Sequence, residues 1–197
     1  MTARHTLEAI LAVGCCGVLG GCISAHDRVS RQELPPSWQA ALPSGNATSD
    51  VSGSYQDAGD YTHEYSRSPD HIARGGLADL LFPELKPPVA AQQVRLVQQG
   101  MDRLEIATLV DGKVAASKTV AIEVDRATVG VRLPRKNTFG AGGNLAAATD
   151  ESITVVLYKG TDGDLYLQSK SFTGGLVALV VPMKVSTENW GHWAAAR

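Results

Sequence analysis

The chain has 197 residues, a formal net charge of −2 at pH 7 and 19% charged residues. With that near-neutral balance and no basic stripe, charge gives no footing for a nucleic-acid partner. All three cysteines fall at positions 15, 16 and 22, so a disulfide framework in the folded part is excluded as well.

Residues 1–6 carry one sure positive charge, Arg4. Residues 9–19 are then apolar or glycine, and Gly20, Gly21 and Cys22 follow. A charged start, a short apolar core and small residues before a cut describe a secretory signal peptide. The run of 11 residues falls well below the roughly 20 that a membrane-spanning helix needs. Residues 1–21 are therefore expected to be removed. Their loss takes away Arg4 and Glu8 and leaves the charge balance unchanged.

Leu19-Gly20-Gly21-Cys22 resembles the lipobox of bacterial lipoprotein precursors: a leucine, two small residues and the cysteine that is lipidated. The resemblance implies a diacylglyceryl thioether on Cys22, cleavage before it, and acylation of the new amino terminus. Cys15 is the rival site, but Ala12 stands where the lipobox has leucine. The mature chain would then hold no free thiol. Ile23 follows the cysteine, where lipoproteins kept at the inner membrane commonly have Asp. The resemblance thus implies an envelope protein tied by Cys22 to the periplasmic face of the outer membrane.

Residues 24–50 are rich in Pro, Ser, Ala and Gly without a sustained apolar period. Residues 22–50 read as a lipidated end plus flexible tether. Such a coil spans roughly 30 Å, or about 90 Å when stretched. Within it, Leu34-Pro35-Pro36-Ser37-Trp38 is the one segment suited to docking on a partner or on the domain itself.

Residues 51–197 are of a size for one globular domain with a real core. Residues 51–55 and 94–97 are candidate strands, and 72–82 a candidate helix weakened by Gly75-Gly76 and ended by Pro83. Residues 103–110 alternate, Asp111-Gly112-Lys113 turns, and 114–124 return with Val120, Ile122 and Val124 in phase, which predicts a hairpin. Lys118 breaks that phase, as a residue at a bulge or rim would. Residues 128–133 offer a further strand. A second hairpin runs from 153–158 through 159–164 to 165–172, and the apolar 176–181 reads as a buried strand. The expected fold is mainly β: an antiparallel barrel or sandwich of about seven to eight strands with at most one or two short helices. Three Phe and no terminal aromatic fit a membrane barrel poorly.

No G-x-S-x-G, S-x-x-K or phosphate-loop motif occurs, so no enzyme and no cofactor is expected. The glycine-rich 139–144 lacks a strand-to-helix context and reads as a flexible loop. His63-Glu64 and Asp70-His71 carry ligand-type side chains, making His63 and His71 candidate metal ligands, but their spacing matches no helical zinc motif. Asp162-Gly163-Asp164 resembles part of a calcium loop without its distal Glu, and a hairpin turn explains it. Trp190 and Trp193 form either a recognition patch or an apolar cap. Two functions are consistent with these features. The first is a non-catalytic module that binds an envelope protein or polymer, or builds structure. The second is a lipocalin-like carrier of a small apolar ligand. Gly53-Ser54-Tyr55 resembles the Gly-x-Trp opening of lipocalins with Tyr in place of Trp, and no residue role is carried across.

Overall fold

The computed structural model describes residues 23–43, 50–62, 72–82, 91–125, 128–132, 136–142, 145–177 and 181–197. Cys22, His63 and His71 lie outside them. The described chain is mainly β, with twelve strands in one hydrogen-bonded sheet. They are β1 (Ile23–Arg28), β2 (Gly53–Gln56), β3 (Ala58–Thr62), β4 (Ile72–Gly76), β5 (Gln93–Gln99), β6 (Arg103–Val110), β7 (Lys113–Asp125), β8 (Thr128–Arg132), β9 (Lys136–Gly142), β10 (Leu145–Lys159), β11 (Leu165–Val177) and β12 (Val181–Trp193). Two short helices, α1 (Pro36–Ala41) and α2 (Leu77–Leu81), and a 3-10 turn at Arg31–Glu33 complete it. The strand path β2-β5-β6-β7-β8-β10-β11-β12-β3-β4 has ten members, and β1 and β9 pair off it with β12 and β10. That exceeds the expected seven to eight, because residues 58–62, 72–76 and 136–142 have no alternating apolar pattern yet form strands.

Two compact units divide the chain. The larger comprises residues 27–134, 153–171 and 187–197. Its backbone begins from turn chemistry. Asp111 and Gly112 both take positive φ, 50° and 71°, the requirement of a tight two-residue hairpin turn. Gln92 fixes this turn by accepting from the Asp111 N–H at 3.0 Å and donating to its carboxylate at 3.1 Å. The β6–β7 register then slips between Thr108 and Leu109, a bulge that leaves Ala115 without a partner and resets the phase. Lys118 consequently pairs with Ile106, and its ammonium lies 4.6 Å over the Phe82 ring. The cation is accommodated by a π face.

The inner core of this unit collects one face of each strand. Val94, Leu96, Leu104, Ile106, Val129, Val131, Leu157 and Leu165 are all buried with Tyr55 and Trp193. The helix expected over 72–82 is instead strand β4 followed by α2. Gly75 pairs with Gly59 in the antiparallel β3–β4 ladder, and a Cβ there would lie 2.7 Å from the Tyr61 ring, so any side chain would have to displace that ring. α2 then adds Leu77, Ala78 and Leu81 to the core. Asp57 holds its first turn, accepting from the Ala78 N–H at 2.7 Å. Beyond β12 the backbone continues as a bonded segment. Gln56 N–H donates to Ala194 O, Ala196 N–H donates to Ser54 O, and Tyr55 bridges Ala195.

The segment expected as a tether is ordered in its described part. Val29 N–H donates to Glu188 O at 3.1 Å, and Arg28 pairs with Glu188 at 3.1 Å. Leu34 and Pro35 adopt extended, polyproline-like angles, and Pro36 opens α1, where its missing N–H costs nothing. Trp38, Leu34, Ala41 and Leu42 then pack on Tyr166 and Trp190 as a second buried cluster. Residues 29–43 form a strap rather than a coil.

The smaller unit comprises residues 1–26, 135–152 and 172–186. In its described part β9 pairs antiparallel with β10 from Lys136↔Glu151 to Gly142↔Leu145. The glycine-rich stretch expected as a loop is thus partly strand. Phe172 and Leu176 of β11 are exposed in this unit. The single apolar strand expected over 176–181 is divided between the end of β11 and the start of β12, so Pro182 lies within a strand rather than ending one. Among the described residues, no helix is long and apolar enough to cross a membrane.

Candidate functional site

The strongest gathering of chemistry-bearing side chains lies in the larger unit, where the β10–β11 turn meets the end of β12. The turn is built by its own polar atoms. Gly160 N–H donates to Asp164 O at 2.8 Å, and Gly163 takes φ 87°. Asp164 N–H donates to the Asp162 carboxylate at 3.0 Å, an Asx-type turn. Both carboxylates are thereby held at one rim. β12 brings His192 to the same place, and one donor atom each from Asp162, Asp164 and His192 lies within 4.8 Å of the others.

The hydrogen bonds decide what this cluster can do. Tyr166 O–H donates to the Asp162 carboxylate at 2.8 Å. Ala195 N–H donates to Asp164 Oδ1 at 2.8 Å, and His192 Nε2 bonds Asp164 Oδ2 at 2.8 Å. Since an ionised carboxylate only accepts, that histidine nitrogen carries the hydrogen. Every carboxylate oxygen of the pair therefore already has a donor. A cation taking His192 Nε2 as a ligand would have to break the Asp164–His192 bond, and the group already acts as a clasp joining the β10–β11 turn to the segment after β12. Burial, with the acceptor Asp162 adding, pushes the Tyr166 hydroxyl far above the usual phenol range, so it stays a donor.

Aromatic rings cover the clasp. His192 stacks on Tyr166 at 4.8 Å, and Trp38 of the strap lies 5.6 Å from His192 and 6.2 Å from Tyr166, edge-on. Trp190 stacks on Tyr158 at 5.5 Å and donates its indole N–H to Val29 O at 3.0 Å. Thr161 N–H closes the contact by donating to Ala41 O at 3.0 Å. The strap is thus latched at both ends: to β12 through Val29, and to the carboxylate turn through Ala41.

Trp190 and Trp193, read from sequence as one patch or one cap, do not share a surface. Three positions apart on a strand, they point to opposite faces. Trp190 is buried beneath the strap and Trp193 is fully buried in the inner core. Gly59 and Gly191 make room for the second indole, since a Cβ at either would overlap it. Nothing in the sequence spacing joins Asp162 and Asp164 to His192, which comes 28 positions after Asp164. The only signals were an Asp-Gly-Asp turn and a histidine between two tryptophans. A second, shallower feature is a surface pocket lined by Ala121, Glu123, Gly130, Arg132 and Thr154.

No known protein family, curated protein or solved structure matches this chain.

Proposed function

We propose that this is a lipid-anchored protein of the cell envelope, held by acylated Cys22 at the periplasmic face of the outer membrane. In this reading it is a non-catalytic module that binds an envelope protein or polymer, or builds structure. One observation carries the reading: the tetrapeptide Leu19-Gly20-Gly21-Cys22 closes an apolar run of signal-peptide length. The internal satisfaction of the Asp162, Asp164 and His192 donors supports a structural role for that cluster over a catalytic one.

The larger unit is best read as a half-barrel, a curled sheet rather than a sandwich. Support comes from the backbone bonds that carry the strand path from the end of β12 back to β2. Its inner face is occupied by side chains of near-zero exposure, including Trp193, Tyr55, Leu157 and Leu165. That filling weighs against carriage of a ligand inside and favours binding on the outer surface.

The anchor is tested by growth with labelled fatty acid. Cys22→Ser is expected to abolish label and to leave an uncut precursor, and membrane fractionation places the native protein with the outer membrane. Label that persists in Cys22→Ser and vanishes in Cys15→Ser would move the cut site. Recovery with the inner membrane would overturn the location.

A further inference from the structure

The start of β1 bears on where the protein sits. β1 begins at Ile23, the residue directly after Cys22, and β1 pairs with β12. A single residue reaches at most about 3.6 Å, so no slack separates an acyl chain on Cys22 from the folded protein. Residues 23–26 belong to the same compact unit as residues 172–186. In that unit the alternation of β11 places Phe172, Gly174 and Leu176 on one face. Phe172 is 46% exposed and Leu176 41%. The Phe172 ring leans over Gly174, so close that a Cβ there would sit 3.2 Å from it, which spreads the apolar face along the strand. Pro182 and Lys184 of β12 are exposed in the same unit.

We propose, resting on the acylation of Cys22, that the smaller unit lies directly on the lipid surface, with Phe172 and Leu176 entering the bilayer interface beside the anchor. Large apolar side chains left in water on one strand face are stabilised at the headgroup boundary, and a nearby lysine adds attraction to anionic lipid. The lipid surface is the occupant the chain itself specifies, because the anchored residue precedes this unit without a spacer. The protein is then a surface-hugging module, not one held at the end of a flexible leash.

The test uses the full mature protein, purified from membranes and reconstituted into vesicles of phosphatidylethanolamine and phosphatidylglycerol. Leu176→Cys and, as a control in the larger unit, Val114→Cys (50% exposed in the native chain) each receive an environment-sensitive nitrobenzoxadiazole label. Nitroxide-bearing lipid is expected to quench the label at position 176 at least about threefold more than that at position 114, with a blue-shifted emission. Equal quenching at both positions, or none at 176, overturns the proposal. Intact mass of the same samples separates the two ideas. Acylated protein with an unquenched 176 label defeats the membrane contact alone, whereas a mature chain without acyl groups removes the anchor and the proposal with it.

Discussion

The two buried clusters of the larger unit are assembled on different principles. The inner core is mostly aliphatic, drawn from strands whose apolar residues alternate, with β5 to β8, β10, β11 and α2 joined by Tyr55 of β2 and Trp193 of β12. The outer cluster is half aromatic and draws on the strap, with Trp38 set against Tyr166 and Trp190. The first is closed by backbone ladders running through the sheet. The second depends on one short segment latched through Val29 and Ala41. Periodic burial therefore defines a cooperative core, while aperiodic aromatic packing defines a piece that can open alone.

Leu157→Ala and Trp38→Ala should separate these behaviours most widely. Leu157 is fully buried, so its truncation leaves a cavity and should lower unfolding stability by about 2–5 kcal/mol. Trp38→Ala removes more atoms, yet its cost is capped by the free energy of opening the strap alone, which lies below that of global unfolding. The strap variant should instead become sensitive to trypsin at Arg31, whose side chain now donates to Leu42 O at 2.9 Å. Urea unfolding and limited proteolysis measure both effects. A Trp38→Ala protein that loses as much stability as Leu157→Ala, with no early cleavage, would merge the two clusters into one cooperative unit.

The same contrast accounts for what could be read from the sequence. The β6–β7 hairpin was legible because Asp-Gly sits between alternating segments, and 103–110 is β6. The bulge at Thr108/Leu109 was legible only as a lysine out of phase. The strap was legible only as one of two docking alternatives for Leu34-Pro35-Pro36-Ser37-Trp38, because the segment has no period and its partners lie 120 or more residues away. β3 and β4 were hidden for a related reason: their glycines signal loops locally, and only the Tyr61 and Trp193 rings make them necessary. The clasp was hidden because its members are distant in sequence and ordinary in composition.

His192 links the latch to the turn, and its contribution can be divided. His192→Phe retains a ring to stack on Tyr166 and Trp38 but deprives Asp164 Oδ2 of its donor. The histidine is 23% exposed at its side chain, so water partly replaces the bond, and the loss should be about 1 kcal/mol. A chelator should leave the stability of the native protein unchanged, because the donors already bind one another. A melting temperature that falls with chelator in the native protein and not in His192→Phe would turn the clasp into a cation site.

The smallest expected effect concerns the inner cluster's one acidic support. Burial raises the Asp57 carboxyl above its ordinary range, the Ala78 N–H opposes this, and the charge of Asp79 adds to it. A raised value in the folded state means the folded protein holds a proton more readily than the unfolded chain. Asp57 therefore weighs against folding at neutral pH, and that penalty disappears as pH falls through its raised pKa toward the unfolded value of about 3.9. Asp57→Asn keeps an oxygen to accept from Ala78 while removing the charge. It should match or exceed the native protein at pH 7 by less than about 1 kcal/mol, and the advantage should vanish near pH 4. Parallel urea titrations at the two pH values measure the difference directly. An Asn variant destabilised at pH 7, with the loss shrinking near pH 4, would show that the carboxylate is needed as a charged helix cap, with the bond to Ala78 outweighing the cost of burying it.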